Sequence, residues 1–222
     1  MFACAARAPV PFRAMETATR RDQILDVAMR HFAEHGYRAT RVEDVARVVG
    51  VAKGTVFLHF GSKEGLFLAA YERAVGMLPA WLDAPGDVVD RGFWSVLEYW
   101  LERTEADLAE AWVPNRVAML GRLDSDLALR RPIARFMRSE DPYGSLEFVE
   151  YGVARGDLRA DLDVEMMTAM LDWAAERFQD VLGSEELDPG LVRRRAASPD
   201  RRATRIREFL EILRGEIGRA HV

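Results

Sequence analysis

The chain has 222 residues, 49% hydrophobic and 30% charged, with a net charge of −5, a globular composition that suits one large domain or two small ones. The single cysteine, Cys4, excludes an internal disulfide and fits a reducing cytoplasm. No apolar run reaches the roughly 18 residues that a membrane span needs. Residues 1–15 lack the continuous apolar stretch of a signal peptide, and Pro9 and Pro11 oppose helix. This segment reads as a disordered tail, with Met15 as an alternative start.

The charge is unevenly placed. Residues 1–60 carry nine basic and six acidic side chains, a net of +3, which leaves −8 for the rest. A mildly basic head thus precedes an acidic body. Arginine supplies almost all the positive charge, and the only lysines are Lys53 and Lys63. A compact ammonium in that short segment suits contact with phosphate.

In chain order, helical spacing recurs and strand alternation does not. A first helix is expected from Thr19, whose partner three residues on is Asp22, to a stop at Gly36. Ile24, Leu25, Ala28 and Phe32 line one face. A short second helix follows, with Thr40 and Glu43 predicted as a capping box and Gly50 as its stop. A third runs from about Ala52 and ends near Phe60-Gly61. A fourth starts at Ser62 and continues through Leu66, Phe67, Ala70 and Tyr71 into the body. Residues 79–90 read as a boundary loop. Further helices are expected at 91–103, from about Glu105 with an interruption at Pro114, at 115–123, and at 132–138. Three more are expected from Asp141, from a cap at Asp163 to about Leu182, and over 200–218. Residues 183–199 read as a loop bearing Arg193–Arg195. The fold class is all-α.

The second and third helices have the spacing of a helix-turn-helix. Ala46 is small where two helices cross closely, Gly50 permits a left-handed turn, and Val56 is an apolar plug between the helices. The face left over on the third helix, Lys53, Gly54, Thr55, Phe57 and His59, is small and largely polar, as a groove-reading surface should be.

The stretch Phe32–Phe67, FAEHGYRATRVEDVARVVGVAKGTVFLHFGSKEGLF, resembles the DNA-binding region of the tetracycline-repressor (TetR) family of bacterial regulators. That resemblance implies a helix-turn-helix domain over residues 16–62 and a helical effector-binding and dimerisation domain over residues 63–222. It implies that Thr40 and Arg41 hold a phosphate, that Lys53 and Thr55 meet phosphate or base edge, and that Gly54 permits close approach. Phe57, His59 and Lys63 complete the DNA-contacting set. Two positions depart from the family pattern: Phe57 stands where a tyrosine is common, and Gly65 where a glutamate is usual. The first removes a hydroxyl that reaches phosphate. The second removes a partner for Ser62 and should weaken that cap by under about 1 kcal/mol.

The implied function is a ligand-responsive regulator, a repressor released from a palindromic operator on double-stranded DNA by a small hydrophobic or aromatic effector. It acts as a cytoplasmic homodimer without cofactor, metal or enzymatic activity. Transcriptional activation is one competing reading. Another, of a different class, is a zinc-dependent hydrolase using His31, Glu34 and His35, which match an inverted zinc-peptidase spacing; the helix stop at Gly36 argues against it. In the body, Trp100, Trp112, Met119, Phe148, Tyr151, Met170 and Trp173 are candidate pocket residues, with core packing as the plainer reading. The helix after Asp163 is apolar on two faces. It carries Met166, Met170 and Trp173 on one, and Met167, Leu171, Ala174 and Phe178 on the other. That pattern predicts pairing of the last two helices with their copies in a two-fold four-helix bundle.

Overall fold

The structure, a computed structural model, describes residues 19–123, 126–183 and 199–218. The expected tail over residues 1–15 and the cluster Arg193–Arg195 lie outside the described residues. Eleven α-helices are found among those described. They are α1 (Arg20–Ala39), α2 (Val42–Val49), α3 (Lys53–Phe60), α4 (Lys63–Val75), α5 (Gly86–Asp90), α6 (Phe93–Glu110), α7 (Trp112–Leu123), α8 (Leu127–Glu140), α9 (Ser145–Arg155), α10 (Val164–Gly183) and α11 (Pro199–Ile217). The only extended pairing among the described residues is one isolated bridge, Leu158 to Gly218. The all-α expectation holds.

Several helix limits differ from those expected, for local reasons. No new helix starts at Glu105, because α6 continues to Glu110. Pro114 does not interrupt a helix but sits in the first turn of α7, where a missing N–H costs nothing. α8 begins before Pro132 and carries it in its interior. α9 begins at Ser145 rather than at Asp141, after Gly144 in a left-handed conformation.

The described residues form two compact units: those up to Pro79 with those of Ala111–Pro142, and Ala80–Glu110 with those from Tyr143 onward. In the first unit, α1 supplies Ile24, Leu25, Ala28 and Phe32, and α4 supplies Leu66, Phe67, Ala70, Tyr71 and Ala74, all buried. Phe32 meets Phe67 edge to face at 5.0 Å. An α4 with so broad an apolar stripe needs more than one neighbour, and α7 brings Val117 and Ala118 while α8 brings Leu129 and Ile133. At Gly121 the backbone of α7 passes so close that a Cβ would lie 2.5 Å from the Tyr71 ring. The packing unit that holds α1–α3 therefore includes α4, α7 and α8, and does not end at residue 62.

In the second unit, Phe93, Val96, Leu97 and Leu101 of α6 pack with Phe148 and Val149 of α9, Met167 and Leu171 of α10, and Ile206, Leu210 and Ile217 of α11. Phe93 and Phe148 stack at 4.3 Å. The Asp157 carboxylate accepts from the Phe93 N–H at 3.0 Å, and Asp163 accepts from the Met166 N–H at 2.7 Å, the expected cap of α10.

Candidate nucleic-acid interface

The α1 N-terminus is built as its sequence suggests. Thr19 accepts from the Asp22 N–H and Asp22 accepts from Thr19 in a reciprocal capping box. Asp22 also accepts from Arg73 of α4 at 2.9 Å, and Arg73 reaches Asp26 at 3.0 Å. The Thr19 hydroxyl, ahead of Arg73, holds the Asp22 carboxyl below the usual carboxylate range.

The second cap is a correction. Thr40 does not cap α2. Its side chain is buried, and its hydroxyl, with one proton to give, lies 3.0 Å from the His31 carbonyl and 2.8 Å from the Gly36 carbonyl and donates to one or the other. Gly36 has φ 77° and kinks α1 ahead of its last residues, and the Thr40 N–H donates to the Gly36 carbonyl at 3.3 Å. A buried hydroxyl needs a partner more than an exposed helix start needs a side-chain cap. Arg41 is the residue at the N-cap, and it makes no side-chain cap. Ala52, before α3, makes none either. The two helices of the motif thus begin without side-chain caps, whereas α1 is capped by Thr19 and α4 by Ser62. Uncapped N-termini leave N–H groups for an anion.

The turn matches the expected geometry. Gly50 is left-handed, φ 75° and ψ 37°, and the Val51 N–H donates to the Ala46 carbonyl at 2.9 Å. Ala46 and Val56 are buried. With Val56 turned inward, Lys53, Gly54, Leu58 and His59 are exposed, and Thr55 and Phe57 are half-buried. A Cβ at Gly54 would meet nothing within 4 Å, so internal packing does not require glycine there.

Both lysines have partners inside the chain. Lys53 Nζ lies 2.5 Å from Glu43 Oε1 and 5.3 Å from the centre of the Phe57 ring. Lys53 holds the Glu43 carboxyl below its ordinary value, and Glu43's own backbone N–H adds to this. Glu43 therefore sits at the α2 N-terminus as an internal anion. Lys63 Nζ donates to the Arg38 carbonyl at 3.1 Å and lies 4.7 Å from the centre of the Tyr37 ring. Partial burial lowers its pKa. Sequence reasoning took Glu43 only as a capping partner; the signal for more was an acid in the first turn of α2 facing a lysine in the first turn of α3. Leu58 was also missed, because an apolar residue in an apolar stretch draws no notice.

The α3–α4 corner explains Gly65. Ser62 accepts from the Gly65 N–H at 3.0 Å, so this cap stands without the usual glutamate, and Glu64's own backbone N–H, ahead of the Ser62 hydroxyl, holds its carboxyl below the ordinary value. A Cβ at Gly65 would collide with the Phe60 carbonyl.

His31 and His35 do not converge on a metal: their rings stack at 5.6 Å, and His35 Nδ1 faces the His31 carbonyl at 3.1 Å. The seven pocket candidates are divided between the two units. Trp112 and Met119 belong to the first unit and the other five to the second. Phe148 is fully buried in the core, while Trp173 and Met170 are exposed on α10. Trp100 donates to the Trp81 carbonyl at 2.8 Å, and the Tyr151 hydroxyl donates to the Val89 carbonyl. Burial raises the Tyr151 pKa. The α10 split is as expected: Met167 and Leu171 face inward, and Met166, Met170 and Trp173 face out.

A helix-turn-helix with a small, exposed face on its second helix, followed by an all-helical body, is the architecture of a DNA-binding regulator. Residues 24–70 match the bacterial regulatory proteins of the tetR family. The chain is 30% identical over 170 residues to the HTH-type transcriptional repressor AcnR of Corynebacterium diphtheriae, covering 76% of this chain and 84% of that protein. It belongs to the TetR family. Its fold is similar to that of a TetR-family regulator from Rhodococcus sp. (TM-score 0.63, 22% identity, 87% of this chain and 97% of that one). It is similar as well to FadR from Bacillus subtilis, solved in complex with stearoyl-CoA (TM-score 0.60, 22% identity, 86% and 96%).

Proposed function

We propose that this chain is a transcriptional repressor that binds a palindromic operator as a homodimer and leaves it when a small hydrophobic effector binds. The observation that carries the DNA contact is the outward face of α3 together with the uncapped starts of α2 and α3. Arg41, Lys53, His59 and Lys63 are assigned to phosphates, which position the protein. Gly54 and Thr55 are assigned to the base edges. Thr40 is reassigned from phosphate contact to fastening α1 to α2, since its hydroxyl is already engaged. Phe57, without a hydroxyl, supports the Lys53 ammonium through its ring. Few of these side chains can read bases by hydrogen bonding, so DNA shape carries part of the specificity.

The apolar outer side of α10 supports dimerisation. Trp173 is 71% exposed and Met166 61%, and on α11 Ile212 is 66% exposed. Large apolar side chains so exposed on two helices suit burial against a partner, and a second copy satisfies this with two-fold symmetry. The recognition helices then fall about 34–36 Å apart, or a further turn of DNA. A cytoplasmic location agrees with a regulator whose described helices include none long and apolar enough to cross a membrane.

The effector is placed in the second unit, where Trp100 and Tyr151 remain the best candidates from the original set. Stearoyl-CoA is the ligand of FadR, and at this identity the likeness is one of fold. The chain passes between its units at Pro79–Ala80, Glu110–Ala111 and Pro142–Tyr143, and these crossings are the proposed route of the switch. An effector acts only by its differential affinity for the two states.

The test is selection of bound duplexes from fragmented genomic DNA, followed by titration at several salt concentrations. A palindromic site whose affinity falls steeply with salt is expected. Binding without sequence preference would overturn the regulator assignment. Sedimentation of wild type and Trp173→Glu tests the dimer: a dimer that the substitution converts to monomer is expected, and a wild-type monomer at micromolar concentration would refute it.

A further inference from the structure

We propose that Leu58 reads the methyl group of a thymine in the major groove, and so fixes a T·A pair in each operator half-site. The proposal rests on the assignment of α3 as the recognition helix. Leu58 is 84% exposed, the most exposed of the large hydrophobic side chains described. A lone exposed leucine is ordinary on a protein surface, but the position of this one is not arbitrary. At 100° per residue, Gly54 and Leu58 fall on either side of the line directly opposite Val56, the one fully buried side chain of α3. They therefore form the crest of the helix. Gly54 contributes no side chain and has open space around it, so Leu58 is the side chain that stands highest on the crest.

The chemistry of the groove then decides what Leu58 can recognise. A leucine side chain has no donor or acceptor. Pressed on a guanine, cytosine or adenine edge, it strips water from polar atoms and gives nothing back. The thymine C5 methyl is the one apolar feature that the major groove offers. Burying one methyl group corresponds to about fourfold in affinity.

The experiment uses the full-length chain and a random duplex pool. Wild type, Leu58→Ala and Leu58→Asn are each taken through selection. Each thymine of the wild-type site is then replaced singly by deoxyuridine, which removes only the methyl. Leu58 is mostly exposed, so both variants should fold, and circular dichroism checks this. In wild type, one thymine per half-site should show a loss of about fourfold on conversion to uracil. In Leu58→Ala that loss should vanish and the base preference at that position should flatten. Leu58→Asn should move the preference toward adenine, whose edge takes a bidentate amide. The proposal is overturned if Leu58→Ala keeps the wild-type preference and the same uracil sensitivity, or if no thymine in the wild-type site is uracil-sensitive. If wild type selects no site at all, the DNA-reading assignment of α3 fails, and the proposal falls with it.

Discussion

Gly54→Ala should move stability and DNA binding in opposite directions. Gly54 is the second residue of α3, its φ is not positive, and a Cβ there would meet no atom within 4 Å. In a helix, glycine costs roughly 0.5–1 kcal/mol relative to alanine. The first turn sits at the low end of that range, so a gain of about 0.5 kcal/mol is expected. For a chain of this size that corresponds to a rise of about 1–2 °C in the melting temperature. The same methyl stands on the crest of α3 beside Leu58. If the helix backbone lies against the base edges, the added group overpacks that contact at about 1–3 kcal/mol, a loss of roughly 5- to 150-fold. The assays are thermal unfolding and fluorescence anisotropy on a duplex bearing the selected site. Wild-type affinity in a Gly54→Ala protein of normal or raised stability would refute close approach at Gly54. A fall in stability would refute the open space around it.

Three further outcomes are expected. Gly65→Ala should destabilise by more than about 1 kcal/mol, although an unconstrained helical glycine would gain from the change, because its Cβ meets the Phe60 backbone carbonyl; stabilisation in a denaturant titration would show that the α3–α4 corner is looser than described. Glu43→Gln should raise operator affinity and steepen its salt dependence by about one unit of slope, since Lys53 and the α2 N-terminus lose their internal anion; unchanged binding would remove Lys53 from the phosphate contacts. Asp22 has a lowered pKa in the folded chain, so its contribution is present above the ordinary aspartate range and is lost as pH falls below about 4. Thr19→Ala removes the largest cause of that shift and should flatten the acid limb of stability against pH, while costing about 0.5–2 kcal/mol at neutral pH through the lost cap. An acid limb as steep as in wild type would mean that Thr19 does not hold the Asp22 charge.

Much of the DNA-binding head was legible in the sequence, because its signals are local. Thr19 and Asp22 form their box within one turn, and Gly50 and Val56 act through the segment that contains them. The Thr40 cap was misread for the opposite reason. Its competitor is the end of α1 around the Gly36 kink, which a capping pattern of four residues does not include. Gly65 looked like a lost capping partner, whereas its meaning lies in a carbonyl five residues back, across the α3–α4 corner. In the body the signals are less local. Periodicity places Met170 and Trp173 on a common face of α10 but does not say whether that face meets the core or the outside. Phe148 and Trp173 are equally good pocket candidates on composition; one is wholly buried against Phe93 and Trp81, and the other is mostly exposed.

The two lysines show how far composition can be pressed. Their isolation in an arginine-rich chain suggested contact with phosphate, yet each has an intramolecular partner in the free chain: Glu43 for Lys53, and the Arg38 carbonyl with the Tyr37 ring for Lys63. These contacts suit a compact ammonium on a flexible stem better than a planar guanidinium, so the lysines would be favoured here even without DNA. The two sites nevertheless differ. Lys53 is exposed and its partner is an anion at a helix N-terminus, an arrangement that a phosphate can replace charge for charge. Lys63 is half-buried and holds the Arg38 carbonyl near the end of α1. Lys53 is therefore the lysine expected to change partner on binding, and Lys63 the one expected to keep its carbonyl and offer its remaining N–H groups. Lys63→Ala should accordingly lower both stability and affinity, and Lys53→Ala affinity alone.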